Sequence, residues 1–114
     1  MGTRSQVHFV NSGVYLYQHW DGNLLPSRVQ RGLSLNERWE DEEYLTRIIF
    51  DSMKLGGTTT TGFGIGTDRH WDIEYLVEID VEKQTIEVLS GFGDDMTPDW
   101  IGTFEQFVKK GDVE

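Results

Sequence analysis

Apolar and polar residues alternate most clearly between residues 72 and 81, where Ile73, Tyr75, Val77, Ile79 and Val81 are interleaved with Asp72, Glu74, Glu78 and Asp80. A period of two predicts a strand with one face in a core and the other in water. Thr85 to Leu89, reached through Glu82-Lys83-Gln84, predicts its antiparallel partner. Near the start, residues 6–10 and 14–20 are β-branched and aromatic runs divided by Asn11-Ser12-Gly13, which predicts a first hairpin.

Elsewhere the spacing becomes helical. Leu24, Leu25, Val29 and Leu33 follow Asp21-Gly22-Asn23, with Pro26 suited to a first turn and Gly32 to a helix end. From Asp41 to Leu55, Leu45, Ile48, Ile49 and Met53 fall on one stripe, which predicts an amphipathic helix. The acidic run Glu40 to Glu43 suits the positive end of its dipole, and Gly56-Gly57 suits a left-handed stop. The last element reads as a helix capped by Thr97, with Pro98 and Asp99 in its first turn, Lys109 and Lys110 in its last, and Gly111 beyond. Trp100, Ile101, Phe104, Phe107 and Val108 would form its apolar face. Residues 56–68 are too rich in glycine for a helix and predict a Thr-bearing loop, Thr58 to Thr61, leading into an irregular strand at Phe63 and Ile65.

Strands and helices in separate runs, without a repeating βαβ unit, predict an α+β fold: an antiparallel sheet of four to five strands with two to three helices on one face. At 114 residues the chain has room for one domain, 1–114, and with 4 Trp, 4 Tyr and 6 Phe it carries too much apolar area to stay unfolded. It has no cysteine, so disulfides, thiolate metal sites and a Cys nucleophile are excluded. The first residues lack the apolar core of a signal peptide, and no apolar run is long enough to cross a bilayer, so a cytoplasmic location is expected.

Acidic side chains number 20 against 10 basic, a net charge of -10. That field repels nucleic acid and anionic membrane, so neither is expected as a direct partner; it would attract a protein with a basic surface. Solubility alone also explains it. The carboxylates placed to meet such a partner are Asp72, Glu74, Glu78 and Asp80 on the polar strand face, Glu40 to Glu43, and Asp94 with Asp95.

One tripeptide, His-Trp-Asp, occurs twice, at His19-Trp20-Asp21 and His70-Trp71-Asp72. On an extended backbone residues two apart share a side, which would pair His19 with Asp21 and His70 with Asp72. If the segments met, two imidazoles and two carboxylates would suit a divalent metal with an open position for water, the chemistry of a metal-dependent hydrolase. The plainer reading has each Asp in a turn, each Trp packed and each His at a strand end, with no cofactor. Gly-Phe-Gly-Ile-Gly at 62–66 is not a phosphate loop, since no Gly-Lys-Ser/Thr follows and a strand, not a helix, comes next. Ser5, Ser12 and Ser34 lack the surroundings of a hydrolase nucleophile.

Two motifs in order, Met1-Gly2-Thr3-Arg4-Ser5 and, one hairpin later, His19-Trp20-Asp21-Gly22, resemble a family of small bacteriophage and prophage proteins. The resemblance covers roughly the first quarter of the chain and ends near Asn23. It implies a phage-related origin and importance for Arg4, His19, Trp20 and Asp21, and it implies no reaction. Small acidic phage proteins include inhibitors of host defence, anti-CRISPR proteins among them. The expected function is therefore a non-catalytic inhibitor of a host protein, such as a defence nuclease or another nucleic-acid-binding complex. The alternative is a metal-dependent or nucleotide-binding protein built on the paired His-Trp-Asp segments.

Overall fold

The computed structural model describes residues 3–55, 57 and 60–110. Strands β1 (Ser5–Phe9) and β2 (Val14–Gln18) form the first hairpin. A 3-10 turn (Gly22–Leu24) leads into helix α1 (Leu25–Leu33), and helix α2 (Glu42–Met53) follows. Then come strands β3 (Phe63–Gly66), β4 (Tyr75–Asp80), β5 (Thr85–Ser90) and β6 (Thr97–Thr103), and a short helix α3 (Phe104–Lys109). The fold is α+β: six strands in the order β3-β2-β1-β4-β5-β6, with three helices.

The sheet has more strands than predicted and is mixed, because β1 and β4 run parallel, Val7 beside Val77 and Phe9 beside Ile79. The other ladders are antiparallel. The parallel pair follows from the route of the chain: β3 adds to the outer edge of β2, so the connection to β4 must pass back over two strands before joining β1.

All three helices contribute to one core. Val7, Leu16, Val77, Ile79, Ile86 and Val88 from the sheet meet Leu25, Val29 and Leu33 of α1, Leu45, Ile49 and Met53 of α2, and Phe104 and Phe107 of α3. Val77 and Ile79 of β4 and Leu45, Ile49 and Met53 of α2 are thus buried in one core as their spacing implied, with α1 between sheet and α2, whereas Tyr75 and Ile48 are only half-buried. Gly32 lies inside α1 where it meets α2: a Cβ there would stand 2.8 Å from Ile49 Cδ1, so the helices pack closely only over glycine.

The last helix differs from expectation. The predicted C-terminal helix is in its first half the edge strand β6, and helix begins only at Phe104. Thr97, Trp100, Ile101 and Thr103 favour extended backbone, and Pro98, which lacks an N–H, is tolerated at an edge beside the register shift at Val88/Leu89. The cap is Thr103, not Thr97: Thr103 and Gln106 form a reciprocal capping box. Ile101 consequently points outward, 69% exposed. Behind α2, Leu55 is left-handed (φ 56), and Gly56, Thr58, Thr59 and Gly111 lie outside the described residues. Asp41 caps α2, as its acidic start implied. Among the described residues no helix is long and apolar enough to cross a membrane.

Candidate binding face

Because side chains alternate along a strand, the residues not pointing at the helices line the opposite, helix-free face. These are Gln6 and His8 on β1, Tyr15 and Tyr17 on β2, Leu76, Glu78 and Asp80 on β4, and Thr85, Glu87 and Leu89 on β5. The β3–β4 connection crosses one end of this face and is fastened by Gln6. Its Nε2 donates to the Asp68 carbonyl at 3.2 Å, and its Oε1 accepts from the His70 amide at 2.9 Å. Gln6 is buried, and both bonds satisfy its amide.

The chain has three histidines, and all three lie on this side. His8 stacks on Tyr15, ring centres 4.1 Å apart and 4° from parallel, and its Nδ1 shares a 2.8 Å hydrogen bond with Glu78 Oε2. Tyr17 lies between the other two: its hydroxyl and His19 Nδ1 share a 2.9 Å hydrogen bond, and the His70 ring packs 4.6 Å from its centre. Arg4 Nε lies 3.5 Å from Asp72. Burial pushes the Tyr17 hydroxyl above its ordinary pKa of 10.0 although Arg4 pulls it down, and burial with the Glu78 carboxylate does the same for Tyr15. Both phenols are neutral at physiological pH.

The two His-Trp-Asp segments are not extended, so the two-apart rule fails in each. Asp21 adopts a left-handed backbone (φ 59) and its carboxylate faces Arg28 at 3.8 Å, away from His19. Residues 71 and 72 form a turn that sends Asp72 to Arg4. His19 and His70 thus meet at Tyr17, while Asp21 and Asp72 are taken by guanidinium groups. Among the described residues no three His, Asp or Glu side chains are grouped to hold a metal ion. Trp20 is half exposed, its ring against Gly62, where a Cβ would collide with it; Trp71 is 83% exposed.

The acidic strand face is not uniformly free. Asp80 accepts from the Lys83 amide at 3.0 Å and from Asn11 Nδ2 at 3.3 Å, which closes two turns, and Glu78 is held by His8. Glu78 stands directly opposite Glu87 of β5, one carboxylate facing another across the ladder. His8, Tyr15, Tyr17 and Glu87 were not among the residues singled out from the sequence. The alternation in the first hairpin, which sets His8 opposite Tyr15 and Gln6 opposite Tyr17, was the available signal.

Of the two N-terminal motifs, Thr3 and Gly22 meet at the far end of β1 and β2, and Met1 and Gly2 lie outside the described residues. The Gly22 amide donates to the Thr3 carbonyl at 2.8 Å, and Gln18 Nε2 donates to the carbonyls of Trp20 (2.7 Å) and Asp21 (3.0 Å). Ser5 and Gln18 face each other across the hairpin, both fully buried, and Ser5 Oγ and Gln18 Oε1 have no hydrogen-bond partner among the described residues. Comparison with protein-family models, with curated proteins and with solved structures gives no match to this chain.

Proposed function

We propose that the chain is a phage-related, non-catalytic binding protein that inhibits a host protein by docking its helix-free sheet face on a basic surface, such as that of a defence nuclease or another nucleic-acid-binding complex. One observation carries this reading: Glu78 and Glu87 occupy directly opposed positions on that face. Like charges so placed destabilise a sheet, and Thr or Gln would fill the same positions without the cost. A cationic partner recovers it. The half-buried pair of His8 and Tyr15, stacked on one another, adjoins these carboxylates on the same face, so an Arg-rich patch would meet the carboxylates first. The tyrosine hydroxyls are neutral and add no charge of their own.

The test is affinity capture from host lysate, run in parallel with the parent and with Glu78→Gln/Glu87→Gln. A partner of basic surface, retained by the parent and lost by the variant, is the expected result. Equal capture by both proteins would reject the face as the working surface.

A further inference from the structure

On the other side of the molecule, against the helices, a groove of about 590 Å³ runs between α1 and α2. We propose that it is a second docking site, shaped for an amphipathic helix of a partner protein with acidic flanks.

The groove has the shape of a trough. Tyr44, Arg47, Ile48 and Asp51 line one wall at helical spacing, a second stripe on α2 beside the core stripe of Leu45, Ile49 and Met53, and Leu55, just past the end of α2, continues the wall. From Tyr44 to Asp51 this stripe runs about 10 Å at 1.5 Å per residue, the length of two helical turns. Arg31, Leu35 and Arg38, from the end of α1 and the turn after it, make the other wall. A trough of that length between two ridges accepts a rod, in the manner of helix-in-groove recognition. It is concave, and Glu37 and Asp51 lie in it, so it does not suit a bilayer.

The groove is also apolar. Leu35 (60%), Leu55 (58%) and Tyr44 (48%) are three of the nine large apolar side chains exposed among the described residues, and they are gathered in this one groove. A partner helix would cover them with apolar side chains of its own.

Its charge differs in sign from that of the whole chain. In a chain with twice as many acids as bases, this groove carries three guanidinium groups against two carboxylates. Arg47 is bound to Asp51 at 2.6 Å, and Arg38 lies over the Tyr44 ring at 4.3 Å, which holds its guanidinium in place. Arg31 forms no ion pair with a described residue. Arg31 and Arg38 are thus set to receive carboxylates from the flanks of an incoming helix.

A display library of random peptides of about 14 residues, about 21 Å when helical, tests this directly when panned on the whole protein. Enriched peptides should repeat apolar residues at helical spacing with Asp or Glu beside them. Leu35→Asp/Leu55→Asp and, separately, Arg31→Glu/Arg38→Glu should each weaken their binding at least about tenfold. Glu78→Gln/Glu87→Gln, on the opposite face, should bind them like the parent, which separates this proposal from the one above. All four groove positions are exposed, so both groove variants should keep the parent's circular dichroism and melting; if one does not, the other decides. The proposal is overturned by failure to enrich any peptide, by enriched peptides without the helical period or with basic flanks, or by binding that a folded groove variant retains. It is equally overturned if the protein sediments as a dimer that Leu55→Asp dissociates, since a second copy would then be the occupant.

Discussion

The amide of Gly22 donates to the carbonyl of Thr3 at 2.8 Å, so that the turn after β2 is fastened to the residue two before β1. The contact leaves no room for a side chain: a Cβ on Gly22 would collide with the Thr3 carbonyl oxygen and stand 3.0 Å from Ser5 Cβ. Gly22→Ala should therefore cost about 1–3 kcal/mol, the usual range for overpacking, read as a lowered midpoint of urea denaturation. A variant that unfolds at the parent's midpoint would show that the turn is not held this way.

Ser5 makes the opposite prediction from the same motif. Its hydroxyl is fully buried and has no partner among the described residues, and an unpaired buried polar group costs about 1–3 kcal/mol. Ser5→Ala should leave stability unchanged or raise it by up to about 1 kcal/mol. A large loss in thermal unfolding would mean that Ser5 makes an interaction the static arrangement does not account for.

Val77 lies at the middle of the sheet, fully buried, with Val7 and Val88 on either side. Val77→Asp places a charge there with nothing to pair it and should cost several kcal/mol, of order 3–5. Circular dichroism during heating would detect the loss, and an unchanged melting curve would overturn the assignment of the core face.

The tyrosine pair gives a pH dependence. Burial raises the hydroxyl pKa of Tyr17 and Tyr15 in the folded protein above the unfolded value of 10.0. As pH rises past that value the unfolded chain loses these protons first. The stability they contribute is therefore complete below pH 10 and is lost as pH climbs through the folded values. Tyr17→Phe should flatten that alkaline limb, and phenolate absorbance of the parent should titrate late. A parent that titrates like free tyrosine would contradict the packing of His19 and His70 around Tyr17.

Local pattern made the core legible but not the pairing of distant strands. The period of two placed Val77 and Ile79 on a buried face, and spacings of three and four did the same for Leu45, Ile49 and Met53, because burial is written into which side of an element is apolar. Nothing in the composition of β1 or β4 says that they lie parallel to each other, since that depends on the route taken by the β3–β4 connection. At residues 97–103, Pro98 and Asp99 resemble a helix start as much as an edge strand, and the box at Thr103 and Gln106 was the better signal. The candidate face was half visible. His19, His70 and Asp72 stood out through the repeated tripeptide, whereas Tyr17, which joins the two histidines, required the register of the hairpin. Asp21 was misplaced because its left-handed backbone cancels the alternation that an extended strand would have given.

The most direct test of the central claim is the rate at which the captured basic partner associates with the parent and with Glu78→Gln/Glu87→Gln, measured at low and at physiological salt. If the helix-free face does the docking, association with the parent is fast and slows as salt screens the charges, within a Debye length of about 8 Å at physiological strength. The variant should stay folded, since the opposed carboxylates are gone and an amide at position 78 can still bond His8, yet associate about tenfold or more slowly and with little dependence on salt. Identical rates and identical salt dependence in parent and variant would contradict the account.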